Sequence, residues 1–125
     1  MNEEKYYEFV DLYKNPDHKG KLKDFDFKAE EYSSSCGDVF TVYLKMENGK
    51  VKDATFEGNG CIISTVSISK TCGDIVGKTP EEIKKMSLGE IKKIVGVDEI
   101  SLSRIKCATI GLDTIKEALR NDLSK

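Results

Sequence analysis

The spacing of apolar residues changes character once along this chain, and that change dictates what it can fold into. From Phe25 to Ala29 apolar residues alternate with charged ones, and Phe40, Val42, Leu44 and Met46 alternate with Val39, Thr41, Tyr43 and Lys45. A period of two belongs to strands that bury one face. Asn48-Gly49 is a hairpin signal, and the return strand from Val51 to Phe56 presents Ala54 and Phe56 on one face before the Gly58-Asn59-Gly60 turn. After Cys61 the period lengthens: Ile62, Ile63, Val66, Ile68, Ile75 and Val76 recur at three- and four-residue spacings among small Ser and Thr, which predicts a buried helix ending near Gly77.

The flanks are helical as well. Tyr6, Phe9, Val10 and Tyr13 predict a helix over residues 3–14, stopped by Asn15-Pro16, with Asp17-His18-Lys19-Gly20 as a loop. Thr79-Pro80-Glu81-Glu82 and Ser87-Leu88-Gly89-Glu90 each carry a cap residue with an acid three positions on, so two short helices follow, the second stopped at Gly96. Ile110, Ile115, Ala118 and Leu119 form the stripe of a last helix from about Ser103 to Leu123. One helix, three antiparallel strands and then helices make an α+β fold, with helices packed on one face of a three-stranded antiparallel sheet. Neither repeat nor linker is visible, so residues 1–125 are expected to form a single domain that buries about two thirds of its unfolded surface.

Three cysteines stand at the expected ends of these elements: Cys36 before the second strand, Cys61 between sheet and helix, and Cys107 near the start of the last helix. Cys36 and Asp38 are two positions apart, so an extended stretch aims a thiolate and a carboxylate to one side. Three thiolates with one carboxylate suit a tetrahedral zinc ion or the four terminal positions of a [2Fe-2S] unit. The oxygen donor is harder and less covalent than sulfur, which suits cargo that must be released. Arg104 and Lys106 flank Cys107 and favour its thiolate, a nucleophile able to attack a persulfide sulfur. Asp38 read as a turn residue satisfying backbone donors is the competing interpretation. Cys72 falls inside the buried helix and reads as core, and His18 reads as an exposed loop residue.

Charge and compartment narrow the classes. With 22 acidic and 20 basic residues there is no basic field for nucleic acid. No apolar run approaches the roughly 20 residues of a membrane span, and Met1-Asn2-Glu3-Glu4-Lys5 is unlike a signal peptide. The expectation is a cytoplasmic protein that binds neither nucleic acid nor membrane. In that reducing compartment four cysteines point to thiols, ligands or reactive groups rather than disulfides.

Cys36-Gly37-Asp38, the run from Phe56 through Gly58-Asn59-Gly60-Cys61 to Ser64, Gly77-Lys78-Thr79 and Arg104-Ile105-Lys106-Cys107-Ala108 together resemble the U-type iron-sulfur cluster assembly scaffolds (IscU, SufU and the N-terminal domain of NifU). Asn15-Pro16 fits too, and the resemblance covers nearly the whole chain. It implies a SufE/NifU-like fold and a scaffold that receives sulfur from a cysteine desulfurase, assembles a transient [2Fe-2S] cluster and passes it to recipient apo-proteins. Cys36, Asp38, Cys61 and Cys107 would be the cluster or metal ligands, with Cys107 also the persulfide acceptor. Zinc binding in the same site is implied as well.

The alternative is a zinc-dependent sulfurtransferase of the SufU type, which would make the protein an enzyme rather than a carrier. Lys106 stands where the IscU type has histidine, as in the SufU type, yet the 61 to 107 interval is short for the SufU insertion. Ser101-Leu102-Ser103-Arg104-Ile105-Lys106 replaces the Leu-Pro-Pro-Val-Lys segment that dedicated chaperones recognise in the IscU type. A purely structural zinc domain is disfavoured because the chain has no Cys-x-x-Cys knuckle. The working unit is left open between a monomer, a homodimer sharing a cluster and a complex with the desulfurase.

Overall fold

The computed structural model describes residues 3–33, 38–96 and 105–122. Helix α1 spans Glu3–Lys14, followed by β1 (Phe27–Ser33), β2 (Asp38–Glu47) and β3 (Lys50–Asn59). Among the described residues four helices follow: α2 (Ile62–Ile75), α3 (Pro80–Lys84), α4 (Leu88–Val95) and α5 (Ile105–Asp122). The strands form an antiparallel sheet in the order β1-β2-β3.

The hairpin between β2 and β3 follows from its turn residues. Asn48 and Gly49 both have positive φ, 55° and 76°, the pair of conformations that matches the twist of the adjoining strands. Register is then set by the buried face: Val42 stands opposite Ala29 and Phe56, and Leu44 opposite Phe27 and Ala54. Phe40, Val42, Leu44, Ala54 and Phe56 are all fully buried on that face. Helix α5 covers β1 and β2, α2 covers β3, and the two helices pack on each other. Helix α1 lies against α2 and contributes Phe9, while α4 closes the core beside α2 and α5 with Ile91 and Val95. The helices that cover the sheet are thus on one face, as the sequence predicts. On the other face Tyr43 is buried at 3% exposure, with the Phe25 ring 5.3 Å away and the Lys28 ammonium 5.6 Å from its centroid.

One expectation is corrected. Strand β3 does not stop at Phe56 but runs on through Gly58 and Asn59, which pair with Phe40 and Val39. The stretch at residues 17–20 is a loop as expected, and it makes one isolated parallel bridge to β3: the Phe56 N–H donates to the His18 carbonyl at 2.9 Å, and the Gly20 N–H to the Phe56 carbonyl at 2.8 Å. The last helix begins at Ile105, and the expected starting point Ser103 lies outside the described residues. Among the described residues no helix is long and apolar enough to cross a membrane.

Candidate metal centre

The end of β3 is shaped to deliver Cys61. Gly58 has φ of 122°, and a Cβ there would lie 2.1 Å from the Val39 carbonyl oxygen, so only glycine lets β3 lie so close to β2. A Cβ on Gly60 would lie 2.7 Å from the Phe40 ring and 2.5 Å from Ser64 Oγ. The chain therefore passes over Phe40 as bare backbone and enters α2 with Cys61 as its N-cap, at φ −73° and ψ 174°. Sulfur takes the place of the usual capping oxygen: Cys61 Sγ accepts from the Ser64 N–H at 3.5 Å.

Asp38 opens β2 and is only 2% exposed. Its carboxylate accepts from the Cys61 N–H at 3.3 Å through Oδ1, and from the Ser64 hydroxyl at 2.8 Å through Oδ2. Both interpretations of Asp38 thus describe the same side chain, since it satisfies a backbone donor and also stands beside a thiol. Cys107, fully buried, comes from the first turn of α5. Two contacts hold the start of α5 against α2, one in that turn and one in the next. The Ser67 hydroxyl donates to the Ala108 carbonyl, and Gly111 brings α5 so close that a Cβ would lie 2.8 Å from Ile68 Cβ.

One ligand atom each from Asp38, Cys61 and Cys107 lie within 4.8 Å of one another. Around a tetrahedral ion with bonds of about 2.0–2.3 Å such donors stand roughly 3.5–3.8 Å apart, so closing on one ion takes about an ångström of movement. The donor set is soft, anionic when ionised, and suited to zinc or iron. Burial opposes ionisation of Cys61, but its contacts with the Ser64 side chain and amide and with the neighbouring Cys107 thiol favour the thiolate. Together they hold it below the ordinary thiol range, against the pull of the Asp38 carboxylate. Its place at a helix N-terminus acts in the same direction.

Cys36, the fourth expected ligand, lies outside the described residues, as does Arg104. Lys106 is exposed beside Cys107. Cys72 is core, fully buried, its thiol pushed up to about 12 by burial and by the Asp53 carboxylate. It sits eleven residues past Cys61, roughly 16 Å along the helix. His18 departs from expectation: it is half-buried, with positive φ, and its Nε2 faces Gly73 on α2. Ser64 is the site residue that sequence reasoning missed. It carries no local signal, because its partner Asp38 stands 26 residues away and is brought to it only by the fold.

The family model of NifU-like N-terminal domains matches residues 5–125. The chain is 41% identical, over 82% of its length and 82% of the other's, to the iron-sulfur cluster assembly scaffold protein IscU of Thermotoga maritima. It is 32% identical, over 90% of its own length and 87% of the other's, to the zinc-dependent sulfurtransferase SufU of Bacillus subtilis. Among solved structures, a crystallised hypothetical protein superposes with a TM-score of 0.78 at 28% identity, covering 96% of this chain and 99% of that one. A putative iron-sulfur cluster assembly scaffold protein for the SUF system from Fervidobacterium islandicum gives 0.70 at 26% identity, covering 95% and 99%. By a match over nearly its whole length, the chain belongs to the family of NifU-like N-terminal domains.

Proposed function

We propose that this chain is an iron-sulfur cluster assembly scaffold: residues 1–125 act as one domain on which a transient [2Fe-2S] cluster is built and then passed to recipient apo-proteins. The observation that carries this reading is the convergence of Asp38, Cys61 and Cys107 donor atoms within 4.8 Å, from three separate elements. Cys36, two positions before Asp38, is assigned as the fourth ligand. Sulfur comes from a cysteine desulfurase. In that step the Cys107 thiolate attacks the outer sulfur of the donor's persulfide, which becomes bonded to Cys107, and the donor cysteine leaves as thiolate. Because Cys107 is fully buried, the desulfurase must uncover it on docking. The exposed Lys106 ammonium stabilises the incoming anionic sulfur. Protein and partners meet in the cytoplasm.

A second reading is favoured by one geometric feature. Three donors this close suit one tetrahedral ion, whereas a two-iron unit spreads its ligands over two metals and needs them to move apart. In this reading zinc is resident, Cys107 carries persulfide, and the protein is a zinc-dependent sulfurtransferase like the Bacillus relative with which it shares 32% identity.

Anaerobic reconstitution with iron, cysteine and a cysteine desulfurase separates the two. Visible absorption and metal and sulfide analysis are read on the wild type and on single Ser variants of Cys36, Cys61, Cys72 and Cys107. A chromophore lost in every variant but Cys72→Ser supports the scaffold. Retained zinc with no chromophore, and sulfur still transferred through Cys107, supports the sulfurtransferase.

A further inference from the structure

We infer that Ser64 is a positioning residue of the metal centre, acting through Asp38; the inference rests on reading Asp38, Cys61 and Cys107 as ligands. Ser64 is fully buried in the first turn of α2. Its Oγ lies 2.8 Å from Asp38 Oδ2, 3.3 Å from Cys61 Sγ and 3.2 Å from the Cys61 carbonyl oxygen. A hydroxyl has one proton to give, and the Asp38 oxygen is the nearest of these three acceptors. The proton therefore goes to Asp38.

With Oδ1 on the Cys61 N–H and Oδ2 on the Ser64 hydroxyl, the carboxylate is held at both ends. Its rotamer is fixed beside the Cys61 sulfur without help from a metal, so a metal need not supply the ordering. Helix capping does not account for the hydroxyl, because the Ser64 N–H already reaches the Cys61 sulfur and the shortest contact of the Oγ is to Asp38 on β2. Gly60 leaves the space: a Cβ there would lie 2.5 Å from Ser64 Oγ.

The test measures zinc affinity by competition with a chromophoric chelator, and the visible spectrum with cobalt(II) as probe. The proteins are the full-length wild type, Ser64→Ala, Asp38→Ala and the double variant. Losing a group that orients a ligand costs about tenfold or more in metal affinity. Ser64→Ala is expected to bind zinc about tenfold more weakly, with shifted cobalt ligand-field bands, and to cause no further loss in the Asp38→Ala background. Wild-type affinity in Ser64→Ala, or the same loss with and without Asp38, overturns the inference. Should Ser64→Ala not fold, the isosteric pair Ser64→Thr and Ser64→Val decides, with Thr expected near wild type and Val weakened; equal affinities overturn it. If Asp38→Ala binds zinc like the wild type, the ligand reading falls first. If Asp38→Ala weakens binding and Ser64→Ala does not, the positioning role alone falls.

Discussion

Asp38 and Cys72 show how neighbours decide what a side chain can do. Asp38 is a hard donor among sulfurs, and by the proposed function it is the ligand that lets cargo leave. Asp38→Cys gives an all-sulfur shell, so cluster transfer to an apo-ferredoxin, followed by circular dichroism, is expected to slow; equal or faster transfer refutes the oxygen argument. Cys72 is chemically silent because burial, with the Asp53 carboxylate, pushes its thiol up to about 12. The unfolded chain ionises this thiol near the ordinary value of 9.0, the folded chain far less readily. Its contribution to stability is therefore complete below that value and is lost as pH rises toward about 12. Denaturant titrations across this range should show an alkaline decline that is shallower in Cys72→Ala. With iodoacetamide at mildly alkaline pH, Cys61, half-buried and lowered, is expected to alkylate before Cys72.

Elements were legible where side-chain pattern and backbone demand coincide. Phe40, Val42 and Leu44 announced the central strand, and Asn48-Gly49 its turn, because a buried face and two positive-φ residues leave one solution. Thr79 and Glu82 were legible as a capping box, and each side chain bonds the other's N–H, at 3.2 and 3.1 Å. Thr79→Ala is expected to cost about 1 kcal/mol in chemical denaturation. Glu82 and Glu90 are held below the ordinary carboxylate range by bonds from Thr79 and Ser87. Their contribution is present above that range and fades on acidification through it. The bridge of Lys19 to Phe56 was not legible, since it consists of backbone hydrogen bonds that any residue can make. The site divides the same way. Cys61, Asp38 and Cys107 carried glycine or charge contexts in the sequence, whereas Ser64 owes its importance to Asp38, 26 residues away, and only the pairing of β2 with β3 brings them together.

At the scale of the molecule, the centre ties three elements that the core already holds. Phe40 and Phe56 from the sheet, Ile68 from α2 and Ile115 from α5 are fully buried and do not depend on the ligands. The fold is thus expected to survive chelation, with far-ultraviolet circular dichroism unchanged, in contrast to a domain whose metal supplies its folding energy. Metal should still stabilise by linkage, because Asp38, Cys61 and Cys107 converge only in the folded chain. A ligand at a hundred times its Kd adds about 2.7 kcal/mol, which for a domain of this size raises Tm by on the order of 10 °C. Zinc titrated into the metal-free wild type should give that rise, and Cys61→Ser should lose most of it, whereas Cys72→Ser should keep it. The seam between α2 and α5 makes a separate demand. Gly111→Ala forces Ile68 away and is expected to cost about 1–3 kcal/mol while moving the first turn of α5, and with it Cys107, out of register with Cys61. If the centre depends on that seam, the variant's zinc-induced rise shrinks along with its stability. A destabilised Gly111→Ala that kept the full rise would mean that the ligands find one another without the helix packing, and the site would then belong to its loops rather than to the fold.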